Sequence, residues 1–145
     1  MRLNLIIFII LSILLTGCGF KSWHKGGIAG GKPYTVRGKT YYPLKSAKGF
    51  IEEGIASWYG PGFHGKKTSN GEKFNQNAMT AAHKLLPFNT KVSVTNLSTG
   101  KTIVVRINDR GPFVNNRVID LAKGAAIKLG IIGSGTARVL IKSLE

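Results

Sequence analysis

The sequence predicts a mainly β protein built around one small barrel, and three observations support that prediction. The chain has 145 residues, which is enough for one domain of ordinary size and too short for two. It contains 19 Gly against 5 Pro, a turn-rich balance, and its 43% of apolar residues are enough to build a core. Short alternating segments recur between turn residues from Gly49 onward. About six short strands with one or two short helices favour a closed barrel, because closure hides the strand edges.

Residues 1–17 precede this domain and have the form of a bacterial export signal. Arg2 supplies a short positive region, and residues 3–15 are almost entirely apolar. Some 13 residues span about 20 Å as a helix, short of the roughly 30 Å hydrocarbon core of a bilayer. The segment is therefore interpreted as a signal peptide rather than a membrane span. Leu15-Thr16-Gly17-Cys18 resembles the lipobox of bacterial lipoproteins. The alternative is an ordinary signal peptide followed by a chance cysteine.

Cys18 is the only cysteine, which excludes an internal disulfide framework and a cysteine-based zinc cluster. It is expected to carry the lipid that anchors the mature chain, since several acyl chains at about 0.8 kcal/mol per buried CH₂ hold a protein firmly. The next residue is Gly19, where an Asp would resemble the inner-membrane retention signal. The expected location is therefore the periplasmic face of the outer membrane.

The charge balance restricts the partners that can be expected. The chain carries 21 Lys+Arg against 6 Asp+Glu, a formal charge of +15. Export argues against nucleic acid, so the remaining polyanions are peptidoglycan, with its peptide and lactyl carboxylates, and anionic lipid headgroups. The three histidines have no metal-ligand spacing. No metal or cofactor is expected, and the protein is expected to be a monomer.

Residues 18–48 link the signal to the barrel. Residues 18–32 are rich in Gly and Lys without any period, which predicts a flexible basic tether of about 20 Å r.m.s. span. Residues 33–43 predict two short extended pieces around Arg37-Gly38-Lys39, packed on the outside of the domain.

Residues 49–145 form the predicted barrel domain. The alternation of apolar and polar residues predicts four strands, at residues 55–59, 91–97, 102–108 and 135–143. Residues 64–72 and 109–116 are polar and rich in Gly or Pro, which predicts loops. One helix is predicted to begin with Asp120 as N-cap and to stop at Gly130.

Three internal carboxylates are the candidates for chemistry in this basic domain: Glu72, Asp109 and Asp120. Each falls in a predicted loop or junction, where functional residues concentrate. Glycoside cleavage needs a carboxylic acid to protonate the leaving oxygen and negative charge beside the oxocarbenium-like transition state. The alternatives are a helix cap for Asp120, a turn former for Asp109, a solvated loop acid for Glu72 and a satisfied, half-buried histidine for His83.

Six segments together resemble one known family. They are Ala56-Ser57-Trp58-Tyr59-Gly60, Thr68-Ser69-Asn70-Gly71-Glu72, Ala78-Met79-Thr80-Ala81-Ala82-His83-Lys84, Val94-Thr95-Asn96-Leu97, Val105-Arg106-Ile107-Asn108-Asp109-Arg110-Gly111-Pro112-Phe113 and Arg117-Val118-Ile119-Asp120-Leu121. In this order they resemble the rare lipoprotein A (RlpA) family, endolytic peptidoglycan transglycosylases with a double-psi β-barrel domain. The resemblance covers roughly residues 33–145. Many members continue into a sporulation-related (SPOR) repeat domain, which is not expected here after the last strand.

The resemblance implies cleavage of the bond between N-acetylmuramic acid and N-acetylglucosamine without water. The muramic C6 hydroxyl attacks its own anomeric carbon, and this internal attack has a large effective-molarity advantage. It also implies Asp109 as the principal acid/base and Glu72 as its catalytic partner. His83, Asp120 and Arg110 are expected to support the site, and Trp58 and Tyr59 to stack on sugar. Trp58 as a plain core residue is an equal alternative.

Two rival interpretations remain from the sequence. One is a non-catalytic, expansin-like lipoprotein that binds peptidoglycan without cutting it. The other is a cationic lipoprotein that gathers on anionic lipid, for which the barrel motifs would be irrelevant. The internal acids favour the enzyme, because a pure binder of an anionic polymer gains little from buried carboxylates.

Overall fold

The computed structural model describes residues 31–145, which form a closed six-stranded barrel, an outlying hairpin and one helix. The signal peptide, Cys18 and most of the predicted tether lie outside the described residues. The hairpin consists of β1 (Tyr34–Val36) and β2 (Lys39–Tyr41). The barrel strands and the helix are β3 (Ile51–Trp58), β4 (Thr80–His83), β5 (Lys91–Asn96), β6 (Thr102–Asp109), β7 (Arg117–Leu121), α1 (Lys123–Leu129) and β8 (Ala137–Ser143).

The barrel closes in the spatial order β3-β7-β4-β6-β5-β8. Two pairs are parallel, β3 with β7 and β4 with β6, and the other four pairs are antiparallel. Parallel neighbours cannot be joined by a tight turn, so each of these pairs brings together segments far apart in the chain. The predicted mainly β barrel is therefore confirmed, with a topology that local sequence patterns do not show.

The alternating strands build the core as the sequence predicts. Val92 and Val94 in β5 and Val105 and Ile107 in β6 are at most 1% exposed. They point inward because side chains alternate between the two faces of a strand. The two strands pair in antiparallel register, with Val92 opposite Val105.

Three local predictions need correction. Strand β3 begins at Ile51, four residues before the predicted start, and β4 and β7 were not predicted as strands. The prediction of Asp120 as the helix N-cap is wrong: Asp120 lies in β7, and the extended residue Ala122 precedes α1 without any side-chain cap. Asp120 is extended because it pairs with Ala82 of β4 and Ser57 of β3. The predicted stop at Gly130 is confirmed by its left-handed C-cap conformation.

The β1–β2 hairpin confirms the two extended pieces predicted in residues 33–43. Its turn places Arg37 and Gly38 at φ 50° and 77°, the left-handed values of a tight hairpin turn. The Tyr34 hydroxyl donates to the Lys84 carbonyl at 2.8 Å. The rings of Tyr34 and Tyr41 pack on Phe113, with centroids 6.2 and 5.5 Å apart. The hairpin is thus held against the loop that follows β6.

Helix α1 packs closely on the loop before β4, and this contact depends on Gly124. Its N–H donates to the Gln76 carbonyl at 2.8 Å, and a Cβ at this position would lie 2.5 Å from the Asn77 carbonyl oxygen. With seven residues, α1 is short, and none of the helices within residues 31–145 is long and apolar enough to cross a membrane.

We expect Gly124→Ala to lower the free energy of unfolding by about 1–3 kcal/mol, because the added methyl meets backbone that has nowhere to move. Helix propensity alone predicts the opposite sign, a gain of about 1 kcal/mol. Urea denaturation measures the difference. Ile127→Ala, on the exposed face of α1, is the control and should change stability by less than about 0.5 kcal/mol. A stabilised Gly124→Ala protein would contradict the packing described here.

Candidate active site

Two of the three internal acids lie in one row across the barrel wall. Ala82 of β4 pairs with Asp109 of β6 on one side and with Asp120 of β7 on the other, and Asp120 also pairs with Ser57 of β3. Neighbouring strands lie about 4.8 Å apart, so the backbones of Asp109 and Asp120 are about 10 Å apart. The only side chain between them in the row is the methyl group of Ala82. The barrel topology therefore brings both acids to one site.

Asp109 is held by four hydrogen bonds. Its Oδ1 accepts from the Ser69 N–H at 2.8 Å, the Ser69 hydroxyl at 2.6 Å and the Arg110 N–H at 2.8 Å. Its Oδ2 accepts from the Tyr59 hydroxyl at 2.8 Å. The residue is partly exposed. Donors from three segments thus fix the orientation of a carboxylate that still reaches solvent.

Tyr59 joins Asp109 to the aromatic side of the site. Its ring packs against Phe74 and Phe63, with centroids 4.6 and 5.6 Å away. Burial raises the pKa of Tyr59, and the nearby charge of Asp109 raises it further. The phenol is therefore protonated at any physiological pH and serves as a hydrogen-bond donor to Asp109.

Glu72 lies on the loop between β3 and β4 that also carries Ser69, and its environment differs from that of Asp109. Arg106 binds it through two parallel hydrogen bonds of 2.7 and 2.9 Å, and the side-chain amides of Asn108 and Asn70 donate to it at 3.1 and 3.0 Å. These donors, Arg106 first, lower the pKa of Glu72 to about 2. Glu72 is therefore a carboxylate at neutral pH and holds no proton to donate.

The pKa of Asp120 is shifted in the opposite direction from the pKa of Glu72. Burial raises the pKa of Asp120, and the charge of Asp109 adds to the effect. The hydrogen bond from Ser57 and the cations Arg117 and Lys84 reduce the shift without cancelling it. Of these two carboxyl groups, Asp120 is the one whose surroundings favour the protonated form.

We expect Asp120→Asn to raise the free energy of unfolding at neutral pH by about 0.5–2 kcal/mol, the usual gain when a strained functional group is relieved. The folded protein binds this proton more tightly than the unfolded chain, whose ordinary value is 3.8. Wild-type stability therefore rises as pH falls through the raised pKa. The advantage of Asn should vanish near pH 3.8 and below, where both states are protonated. Thermal unfolding across pH measures it, and an advantage that persists in acid would contradict this assignment.

A cleft of about 500 Å³ opens at Asp120. Trp58 and Tyr59 line it, as does Arg37 from the turn of the β1–β2 hairpin. Trp58 also packs on the core, as the alternative interpretation of this residue predicts, and its stacking on sugar stays a prediction. Asp109 does not line this cleft and is joined to it by its hydrogen bond from the Tyr59 hydroxyl. The cleft therefore combines aromatic surface with the carboxyl group of Asp120, and a second carboxylate lies directly behind Tyr59.

Arg110 lies on the cleft wall, but its guanidinium is occupied. It donates to the carbonyls of His83 and Leu86 at 3.1 and 2.7 Å and stacks on Phe88, 3.9 Å from the ring centroid. Its backbone N–H binds Asp109. Arg110 therefore ties the loop after β6 to the turn after β4 and supports Asp109 from behind.

His83 is inside the barrel and only 1% exposed. Its Nδ1 accepts from the N–H groups of Leu85 and Leu86, which leaves the proton on Nε2 for the hydrogen bond of 2.7 Å to Glu52. Burial lowers the pKa of His83, although Glu52 opposes the shift. His83 is therefore not among the residues that line the cleft, and it is the satisfied histidine of the alternative interpretation, although fully rather than half buried.

Several site residues were not singled out from the sequence. Ser69, Asn70, Arg106 and Asn108 all fall within the quoted segments, so the motifs could have indicated them. Nothing in the sequence indicates Arg37, which reaches the cleft only because the hairpin folds over it. Within residues 31–145, no His, Asp and Glu side chains gather in a way that would hold a metal ion.

Comparison with known proteins shows the family to which the chain belongs. The family described as lytic transglycolase matches residues 51–141. The "Endolytic peptidoglycan transglycosylase RlpA" of Campylobacter jejuni is 66% identical over 111 residues, covering 77% of this chain and 40% of the relative. The protein of the same name from Pseudomonas aeruginosa is 52% identical over 122 residues, covering 84% of this chain and 36% of the relative. The chain thus spans about two fifths of the length of these curated relatives.

Solved structures support the fold. The apo expansin of Clavibacter michiganensis superposes with a TM-score of 0.53 at 19% identity, over 66% of this chain and 51% of the expansin. The Streptomyces papain inhibitor gives the same TM-score at 20% identity, over 67% of this chain and 96% of the inhibitor. At this identity the likeness concerns the barrel alone. The family match over residues 51–141 is the stronger finding, and the chain belongs to the lytic transglycolase family of double-psi β-barrel proteins.

Proposed function

We propose that this protein is a lytic transglycosylase that cuts peptidoglycan strands between N-acetylmuramic acid and N-acetylglucosamine, leaving 1,6-anhydro ends. The observation that carries the proposal is the row of Asp109 and Asp120 on either side of Ala82. The names of the relatives from Campylobacter jejuni and Pseudomonas aeruginosa support the same substrate.

The two acids suit the two proton transfers of this reaction. Asp120, whose pKa is raised, gives its proton to the glycosidic oxygen as the bond to the anomeric carbon breaks. Asp109 accepts the proton of the muramic C6 hydroxyl as its oxygen bonds to the same carbon. The glycosidic bond breaks and the bond between the C6 oxygen and the anomeric carbon forms. Asp120 loses one proton and Asp109 gains one, so the step balances. No water is consumed.

The remaining polar groups hold this arrangement in place. Tyr59 and Ser69 fix the Asp109 carboxylate through hydrogen bonds, so little reorganisation is needed when the proton moves. Glu72 remains ionised at neutral pH, and its paired hydrogen bonds with Arg106 hold the loop that carries Ser69 against Asp109. The partner role that the resemblance implied for Glu72 in proton transfer is thus proposed for Asp120.

Digestion of purified sacculi tests the function. The full chain in detergent is incubated with natural and amidase-stripped sacculi in parallel, and the released glycans are analysed by mass spectrometry. We expect fragments with anhydro ends. Fragments with reducing ends would show a hydrolase instead. Binding without release from either substrate would favour the expansin-like, non-catalytic alternative.

We also propose that Cys18 anchors the protein by lipid on the periplasmic face of the outer membrane. The lipobox-like residues 15–18 and the Gly at position 19 support this location. The intact mass of the protein extracted from membranes tests it, since a mature chain starting at Cys18 should carry diacylglyceryl and acyl groups. An unmodified Cys18 would contradict the proposal.

A further inference from the structure

A small polar pocket of about 140 Å³ lies next to the cleft and is surrounded by three cations. Lys39 comes from β2, Lys84 follows β4, and Arg117 begins β7. Asn115 and Asn116 complete the polar lining. Three separate segments thus direct positive side chains to a space that is the size of a small anionic group.

These cations are not neutralised within residues 31–145. The ion pairs of that region join Arg106 to Glu72, Arg138 to Glu53 and His83 to Glu52. Lys39 contacts the Tyr41 ring, 5.4 Å from its centroid. None of the three pocket cations has a carboxylate within ion-pair distance in the described part of the chain.

Lys84 is the half-buried member of the group. Its ammonium donates to the carbonyls of Pro112 and Arg117, which leaves one of its three protons for a ligand. Burial lowers the pKa of Lys84 and the charge of Lys39 lowers it further, whereas Glu52 and Asp120 oppose the shift. Those two acids are already bonded to His83 and Ser57. A bound anion would relieve the repulsion between the lysines.

The pocket adjoins the active-site cleft. The two share four lining residues on the loop after β6 and the start of β7: Pro112, Phe113, Val114 and Arg117. The hairpin that carries Lys39 packs its Tyr41 ring on Phe113. A group branching from a sugar chain bound in the cleft can therefore enter the pocket while the chain stays beside Asp120.

We propose that the pocket formed by Lys39, Lys84 and Arg117 is a carboxylate subsite that binds the acidic substituent of the muramic acid residue. The inference rests on the proposed function, which supplies the glycan. Two carboxylates have the required chemistry: the lactyl carboxylate of a peptide-free muramic acid and a free carboxylate of its stem peptide. Either accepts charge-assisted hydrogen bonds from the three cations.

Calorimetric titration of the full chain in detergent tests the subsite. Three tetrasaccharides are compared: chitotetraose, which is neutral, the alternating glycan with free lactyl groups, and the same glycan carrying stem peptides. Titrations are run on ice, and mass spectrometry checks that the ligands stay uncut. We expect an acid-bearing ligand to bind about fivefold more tightly than chitotetraose, as for a partly exposed ion pair of about 1 kcal/mol.

Lys39→Gln should remove most of this preference while leaving chitotetraose binding unchanged. The control is Lys128→Gln, which makes the same charge change on the exposed side of α1. If only one of the two acid-bearing glycans loses its tighter binding in Lys39→Gln, its carboxylate is the one that the pocket binds. An equal loss in both variants, or no preference in the wild type although chitotetraose binds, would overturn the subsite alone. Failure to bind any of the three glycans would count against the proposed function as well.

Discussion

Asp109→Asn is expected to reduce the release of anhydro-ended glycan by about two to four orders of magnitude, the usual contribution of an acid–base group. Asn keeps the shape of the side chain, and its oxygen can still accept from Ser69 and Arg110. Its amide then faces the Tyr59 hydroxyl, which can turn to accept. The variant therefore keeps the geometry and loses the carboxylate that we propose takes the proton.

The measurement is the initial rate of glycan release from sacculi, quantified by mass spectrometry. Thermal unfolding and co-sedimentation with sacculi serve as controls, because the variant should still fold and bind. A variant that retains more than about a tenth of the wild-type rate would show that Asp109 does not carry the proton transfer.

Glu72→Gln is expected to lower kcat about a hundredfold with little change in KM, since displacement of a reacting group by about 1 Å has this cost. Gln cannot form the paired charge-assisted bonds with Arg106, and these bonds hold the loop that carries Ser69 against Asp109. The ion pair is partly exposed, so the effect on stability should be much smaller than the effect on rate.

The pH profile separates this role from proton donation. The pKa of Glu72 is about 2, so Glu72→Gln should lower the rate by the same factor from about pH 5 to pH 8 without moving either limb. Glu53→Gln is the matched control, because Glu53 forms an exposed 2.7 Å ion pair with Arg138 away from the cleft. A limb that shifts in Glu72→Gln and not in Glu53→Gln would show that Glu72 itself titrates during turnover.

The parts of the fold that follow a period of two were predictable from the sequence. Val92, Val94 and Val105 alternate with polar residues, so their strands and their inward faces could be assigned. Strand β4 could not, because all four of its residues are buried and the alternation signal is lost. Asp120 was misassigned because an Asp three positions before a helix resembles a cap, whereas pairing with Ala82 keeps it extended.

The candidate acids were predictable as residue types, but their convergence was not. Asp109 and Asp120 lie in one row only because β4 is placed between β6 and β7, and no local sequence pattern reveals that strand order. The two environments also come from distant parts of the chain, because Arg106 lowers the pKa of Glu72 and burial in the barrel wall raises the pKa of Asp120. His83 is the opposite example: its motif suggested a place in the site, but its ring is buried and hydrogen-bonded to Glu52.

Digestion of sacculi by the full chain in water enriched in heavy oxygen tests the proposed mechanism most directly. In that mechanism the muramic C6 oxygen, and not water, bonds to the anomeric carbon. Released glycans should therefore carry anhydro ends without the heavy isotope, and their formation should depend on Asp109. Reducing ends that carry one heavy oxygen would show that water attacks instead and would contradict the mechanism.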